Sequence, residues 1–358
     1  CNRYQFEKVS MTIRDIARLT GYSVATVSRV LNGHPHVHPQ TRERILSVIE
    51  RNGFQPHHAA RALATSRTSI LGLLMSDITN PFYPELARGV EDAAAAHGYR
   101  VILCNTDGDL QKEHAYITSL MRGHVDGLIF ASARLDDSFL QHLVRHRFPL
   151  VLANRRFYGL EVDSVAVDNV LGAKRAVSHL IDHGHKRIAH ITGPSYVSNA
   201  VERLRGYREA MEEAGLRVRR EWIVMGDFTR RSGYARAMEL LSLKPRPTAI
   251  FAENDNMAVG ALGAAFELGL RVPEDVAIVG FDDIDLAGAE AIQLTTVSQH
   301  IYEMGEKAVS LLLRRIEAGG QAEPSEVILD PTLVIRRSCG CRGTFAGIDA
   351  KHGKGRAR

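Results

Sequence analysis

Cysteine is scarce in this chain of 358 residues: Cys1, Cys104, Cys339 and Cys341 are all there is. Four thiols so scattered cannot frame a small disulfide-stapled fold, and a reducing, cytoplasmic compartment is expected. Cys339-Gly-Cys341 has the wrong spacing for a zinc knuckle, and no His/Cys partner pair supports it. No run of about 18 apolar residues occurs, so no transmembrane helix is expected. The opening CNRYQFEKVS lacks the apolar stretch of a signal peptide, and Met11 is a candidate start that would make residues 1–10 an upstream extension. Catalytic signatures are missing too: there is no G-x-S-x-G, no H-E-x-x-H and no P-loop lysine motif. Asp282-Asp283 is a poor acid/base pair, because adjacent strand residues point to opposite faces. Neither an enzyme nor a cofactor is expected.

What is present is ordinary for a globular protein, with 45% hydrophobic and 24% charged residues and length enough for two or three domains. Charge is uneven. Residues 1–67 carry ten Lys/Arg against four Asp/Glu, a balance of +6, whereas the whole chain is only +4. A basic head on a slightly acidic body suggests that the head alone meets a polyanion.

The stretch Thr12 to Gly33, TIRDIARLTGYSVATVSRVLNG, organises that head. Thr12 with Asp15 three residues on predicts a capping-box start, and Ile13, Ile16 and Ala17 give the helix one apolar face. Gly21 breaks it and Ser23 caps a second short helix, in which Val27, Val30 and Leu31 point inward. Val24, Ala25, Ser28, Arg29 and Asn32 are left outside, and Asn32-Gly33 ends the helix. Two short helices about a glycine turn make a helix-turn-helix, whose outer face suits a DNA major groove. Thr12, Ser23, Thr26 and Thr41 join those outer residues as expected DNA contacts. A third helix follows, with Pro39 in its first turn, Ile45, Val48 and Ile49 inward and Gly53 closing it. His34, His36 and His38 alternate with Pro35 and Val37 without a fourth ligand, which favours a solvent- or phosphate-facing loop over a metal site.

The run VATVSRVLNG resembles the recognition helix of the lactose repressor/galactose repressor (LacI/GalR) family of bacterial transcription regulators, and the likeness continues down nearly the whole chain. By that resemblance Pro56 to Ala64, too short for a stable helix alone, matches the family's hinge helix. Leu63 would then wedge into the operator's minor groove and kink it. Ala62 and Ala64 are small enough for a partner hinge helix to approach. A plain linker is the alternative.

From Ser69 the rhythm becomes strand, helix, strand: SILGLLMSD, YRVILCN, VDGLIFA, PLVLANR, RIAHITG, WIVMGD, TAIFAEN and VAIVGFDD alternate with helical stretches. This predicts parallel sheets covered by helices. The pattern restarts near Val165, so two doubly wound subdomains facing across a cleft are expected. The expected fold is thus an all-α helix-turn-helix head (11–55), a hinge (56–67), an α/β periplasmic-binding-protein-like body (68–341) and a basic, flexible tail (342–358). The resemblance adds late crossings near His300 and residue 323, giving subdomains of about 68–165 with 300–322, and 166–299 with 323–341.

Ligands of open parallel sheets sit beyond the carboxyl ends of the strands. The residues there are Phe82 and Tyr83 after the first strand, Asn154 and Arg155, Arg203, Phe228, Asn254 and Asp255, Asp282, and Gln299. An arginine fork, carboxylates, amides and aromatic faces suit a sugar or a nucleoside. The resemblance assigns effector contacts to the positions of Arg203, Asp282, Asn154 and Phe228. The expected protein is a DNA-binding regulator, most simply a repressor, acting on a palindromic operator as a homodimer. The tetramer-forming members' leucine-heptad tail is not matched by GTFAGIDAKHGKGRAR. A transporter's solute-binding protein and a sugar- or nucleoside-processing enzyme are the rivals. The basic head argues against the first and the missing motifs against the second.

Overall fold

The computed structural model describes residues 11–31, 34–52, 54 and 67–341. The chain divides into two compact units between Ser69 and Ile70. The first holds helices α1 (Ile13–Thr20), α2 (Val24–Leu31) and α3 (Pro39–Arg51). The capping box is formed: the Asp15 amide donates to Thr12 Oγ1 at 3.4 Å and the Thr12 amide to the Asp15 carboxylate at 2.9 Å. Gly21 turns the chain with φ 76°, a conformation cheap only without a Cβ, and Ser23 Oγ accepts from the Thr26 amide at 3.1 Å. Ile16, Ala17, Val27, Val30, Ile45 and Phe54 form a small apolar core, with Ile13, Leu31, Val48 and Ile49 packed around it. Gly33 and Gly53, expected to end helices, lie outside the described residues.

The second unit carries two parallel sheets. The first is built from β1 (Ile70–Met75), β2 (Arg100–Asn105), β3 (Gly127–Phe130), β4 (Leu150–Ala153), β5 (Asp163–Val167) and a late strand, Glu326–Leu329, in the spatial order β2-β1-β3-β4-β5-late strand. Helices α4 (Phe82–Ala96), α5 (Leu110–Leu120) and α6 (Ser138–Arg145) connect its early strands. The chain then leaves through α7 (Asn169–Asp182) for the second sheet. This contains β6 (Ile188–Thr192), β7 (Ile223–Met225), β8 (Ala249–Ala252) and β9 (Ala277–Val279), ordered β7-β6-β8-β9, with α8 (Ser198–Glu213), α9 (Arg230–Leu241) and α10 (Asp255–Glu267) between them. After β10 (Thr296–Ser298), α11 (Ile301–Glu317) returns to the first lobe. There Gly89 and Gly305 let α4 and α11 approach backbone to backbone: a Cβ on Gly89 would meet the Tyr302 carbonyl at 2.2 Å. The late strand, β11 (Glu326–Leu329), pairs in parallel with β5 before β12 (Thr332–Val334) pairs antiparallel with β10.

That pairing corrects the expected last crossing. The chain passes into the second lobe after Leu329, not near residue 323, because backbone hydrogen bonds from β5 hold residues 326–329 in the first sheet. Four strands (β5, β10, β11 and β12) were not among the apolar runs expected. Among the described residues no helix is long and apolar enough to cross a membrane.

Candidate functional site

The second helix of the head has two faces. Val27 and Val30 are buried, whereas Val24, Ala25 and Arg29 are exposed, with Thr26 and Ser28 half-buried between them. Thr12 and Ser23 are exposed as well, and Thr41 is half-buried in the first turn of α3. An exposed valine and alanine beside one arginine cost the head little and offer methyl contacts plus a fixed guanidinium fork to a base-pair edge. His34, His36 and His38 are exposed in their loop. Asn32 and Leu63 lie outside the described residues.

In the body, each sheet reverses its winding between two neighbouring strands, β1 and β3 in the first and β6 and β8 in the second. The carboxyl ends of both pairs open into one cavity of about 750 Å³, within the usual range for small-molecule sites. Phe82, Tyr83, Asn154, Arg155, Arg203, Phe228, Asn254 and Asp282 all line it. The first lobe contributes an edge-to-face pair, Phe82 and Tyr83, with ring centroids 5.3 Å apart at 88°. Arg155 serves largely as a brace there: its Nη1 donates to the Ser132 carbonyl at 2.8 Å and its Nη2 to Tyr83 Oη at 3.4 Å.

The second lobe contributes buried charge. Arg203, 1% exposed, donates from Nε to Asn169 Oδ1 at 2.9 Å and from Nη1 to the Glu253 carbonyl at 2.6 Å, with its guanidinium 3.7 Å from the Phe281 ring centroid. Its Nη1 also lies 3.4 Å from the Glu253 carboxylate and 4.0 Å from that of Asp282. The first approach is a charge contact without hydrogen-bond alignment, and Arg203 Nη2 and both Glu253 carboxylate oxygens have no hydrogen-bond partner among the described residues. Burial raises the Glu253 carboxyl to about 8 and that of Asp282 to about 7, although Arg203 pulls both downward. His190, stacked between Tyr207 and Phe251, is lowered to about 4 by its burial.

Four of the lining residues hold left-handed backbone: Asp107 at φ 55°, Asn154 at φ 69°, Phe228 at φ 69° and Asp282 at φ 124°. Asparagine and aspartate tolerate this far better than phenylalanine does. The Phe228 ring is held where a Cβ on Gly193 would stand only 2.6 Å away, so Gly193 makes room for it. Such strain gathers at ligand sites because the surroundings over-determine the geometry.

Two expected lining residues fall elsewhere. Asp255 is wholly buried behind the cleft, accepting from Thr296 Oγ1 at 2.6 Å and from the Ile284 amide at 3.0 Å; it staples the loop after β9 to β10. Gln299 is buried and donates from Nε2 to Asp282, orienting that carboxylate from behind. Asp282 and Asp283 are indeed separated, but by the positive-φ turn after β9 and not by strand alternation; Asp283 pairs with Arg336 Nη2 at 2.7 Å. The sequence reading missed Glu113, Tyr196, Asn199 and Asp227 in the lining. Glu113 is a buried acid whose carboxyl is raised by burial and which accepts from the Ser132 hydroxyl. Tyr196 links the two lobes at the lining: its carbonyl accepts from the Leu135 amide at 2.9 Å, and Arg134 lies 3.9 Å from its ring centroid.

Residues 12–57 match the model described as bacterial regulatory proteins, lacI family, and residues 177–339 match a periplasmic binding protein-like domain. Catabolite control protein A of Priestia megaterium is 41% identical over 307 residues, covering 86% of this chain and 92% of that protein. The ribose operon repressor of Escherichia coli (strain K12) is 39% identical over 306 residues, covering 85% and 93%. Among solved structures, a transcriptional regulator CelR–cellobiose complex is 36% identical with a TM-score of 0.71, covering 92% of this chain and 99% of its own.

Proposed function

The chain belongs to the lacI family of bacterial regulatory proteins, and from that premise we propose that it acts as a homodimeric repressor on a palindromic operator, released or recruited by a sugar-like effector in the cleft. It is a transcriptional regulator, as the family's description and its relatives' names indicate. The observation that carries the DNA reading is α2, with Val27 and Val30 buried while Val24, Ala25 and Arg29 face outward. In a dimer each α2 reads one half-site, and Thr12, Ser23, Thr26, Ser28, Asn32 and Thr41 supply the remaining polar contacts to bases and phosphates. We assign 11–55 to the head, 56–67 to a hinge whose Leu63 wedges into the minor groove, 68–341 to the effector body and 342–358 to a basic tail.

The effector reading rests on the wall formed by Arg203 and Asp282. The two groups stand 4.0 Å apart without a direct hydrogen bond, and Arg203 Nη2 has no partner among the described residues. Vicinal hydroxyls can accept from the guanidinium and donate to the carboxylate at once, while Phe82 and Phe228 offer faces to a sugar ring. Ribose and cellobiose, printed in the names of two similar proteins, are of this chemistry. By linkage, effector and operator then change each other's affinity by one factor.

The test is selection of genomic fragments by the full chain, followed by titration of sugars and nucleosides against the selected complex. An inverted repeat whose binding shifts with a sugar is expected. Equal affinity for selected and random DNA at physiological salt would sink the operator reading. A shift with nucleosides alone would reassign the effector.

A further inference from the structure

At the other end of α7 from Asn169, two imidazoles and two thiols come together. His179 and His183 sit one turn apart on one face of the helix end, and the chain beyond β12 brings Cys339 and Cys341 against them. Cys341 Sγ lies 3.2 Å from His179 Nε2 and 3.1 Å from His183 Nε2, and Cys339 Sγ lies 3.2 Å from Cys341 Sγ. Among the described residues, the donor atoms of His179, His183 and Cys341 form a group lying within 4.8 Å of one another. This overturns the expectation that Cys339-Gly-Cys341 has no His/Cys partners. The partners were hidden by a separation of more than 150 residues, as the Cys341–His183 spacing of 158 shows.

The orientation is that of ligands, not of a hydrogen-bonded cluster. His183 Nδ1 is 2.7 Å from the His179 carbonyl, which can only accept, so Nδ1 carries a hydrogen and Nε2 is the nitrogen left facing sulfur. Holding the far nitrogen on a backbone carbonyl is how protein imidazoles are commonly set for a metal. The Cys341 sulfur faces both nitrogens at once, so a cation seated among them would be shared by all three donors.

We propose that His179, His183, Cys339 and Cys341 form a binding site for a thiolate-preferring divalent cation, zinc by its two-nitrogen, two-sulfur donor set. Tetrahedral zinc, with Zn–S near 2.3 Å and Zn–N near 2.0–2.1 Å, sets its ligand atoms roughly 3.3–3.8 Å apart; Cys341 and the two imidazoles need only small outward shifts, whereas Cys339, outside the group that lies within 4.8 Å, must turn its sulfur inward to complete the set. Each thiol coordinates as thiolate and gives its proton to solvent, so one Zn²⁺ and two thiols yield a neutral bis-thiolate and two H⁺. Cys339 is buried and His183 exposed, so the ion enters from the solvent side. Loading ties residues 339–341 to the helix whose first residue, Asn169, holds Arg203. The site would therefore stiffen the second lobe behind the cleft.

The test uses the full chain, reduced, stripped with chelator and titrated anaerobically with Co²⁺ and then Zn²⁺. The expected result is a sulfur-to-cobalt charge-transfer band with tetrahedral d–d absorption, saturating at one equivalent and bleached by zinc. Cys341→Ser and His183→Asn should each lower zinc affinity at least 100-fold. Zinc should raise Tm by a few degrees in the parent protein and in neither variant. Cobalt bound without the thiolate band, and equally by both variants, would overturn the site and point to other donors such as the exposed His34, His36 and His38. A Cys339–Cys341 disulfide that after reduction still gave no thiolate band would overturn it too.

Discussion

The head and the body use charge in opposite ways. The head keeps Arg29 and its acidic residues at the surface over a core of six apolar side chains, with Asp15 spent on a helix cap. The body buries Arg203 and Asp282 at the wall of its cavity and Glu253 and His190 in the interior beside them. Surface charges near water are cheap and strongly screened, so they suit a polyanion that supplies the opposing charge itself. Buried charges cost several kcal/mol unless partnered, so a partially satisfied set is held only by a frame much larger than itself. The comparison explains why a few dozen residues suffice for one task while the other needs two sheets.

Breaking the buried set should give the largest effect on stability. Arg203→Met removes the guanidinium from Glu253 and Asp282, and loss of one member of a buried pair costs about 3–5 kcal/mol. Urea unfolding of the body should show that drop and calorimetry should show no effector binding, while affinity for random DNA is unchanged. A loss below about 1 kcal/mol would mean that Arg203 is not the organising charge.

The pH dependence follows from the same set. Glu253 and Asp282 are raised in the folded state, so they take up protons on folding; the stability they confer is present at low pH and lost as pH rises through about 7 to 8. His190 is depressed to about 4, so its contribution is lost as pH falls below its ordinary value near 6.5, which offsets the carboxyl gain on the acid side. Stability of the body should therefore fall from about pH 6.5, where His190 no longer opposes the loss, to about pH 8, by at most about 1.4 kcal/mol per pH unit for each group. Glu253→Gln should flatten that fall. An unchanged slope would show that Glu253 is ionised throughout.

A smaller effect is expected at Gly193, where a methyl group would stand 2.6 Å from the Phe228 ring. Gly193→Ala should cost about 1–3 kcal/mol by overpacking and displace the ring, weakening effector binding without altering the pH slope. Retention of wild-type effector affinity would remove Phe228 from the site.

Smallest for stability, and sharpest for the comparison, is Arg29→Ala. Because the side chain is exposed, unfolding of the head should move by less than about 0.5 kcal/mol. Discrimination between operator and random DNA should nevertheless fall by about 1–3 kcal/mol. Equal losses on both DNAs would make Arg29 a phosphate contact.

How much of this was legible in the sequence depended on the range of the interactions. The caps at Thr12 and Ser23 and the buried stripe of Val27 and Val30 are local, and local periodicity displays them. The strand ends carrying Asn154, Phe228 and Asp282 were legible because apolar runs stop there. Asp255 and Gln299 sit at the same kind of strand end, and only the tertiary hydrogen bonds to Thr296, Ile284 and Asp282 turn them away from the cavity. Glu113 was hidden because a single acid on a helix reads as solvated surface until Ser132 and the cavity wall enclose it. β11 alternates weakly and sits at a sheet edge, so its four residues carried no pattern that set them apart from a loop.

β11 also sets an order of events during synthesis. The first five strands of the first sheet leave the ribosome early, yet β5 gains its second neighbour only when Glu326–Leu329 emerges. About 160 residues of the second lobe and of α11 are translated in between, on the order of ten to thirty seconds at ordinary rates of elongation. Throughout that interval the backbone edge of β5 is open to any extended chain nearby. A nascent protein of this design needs shelter at one sheet edge, and messages truncated before codon 326 should yield aggregates, not a working half.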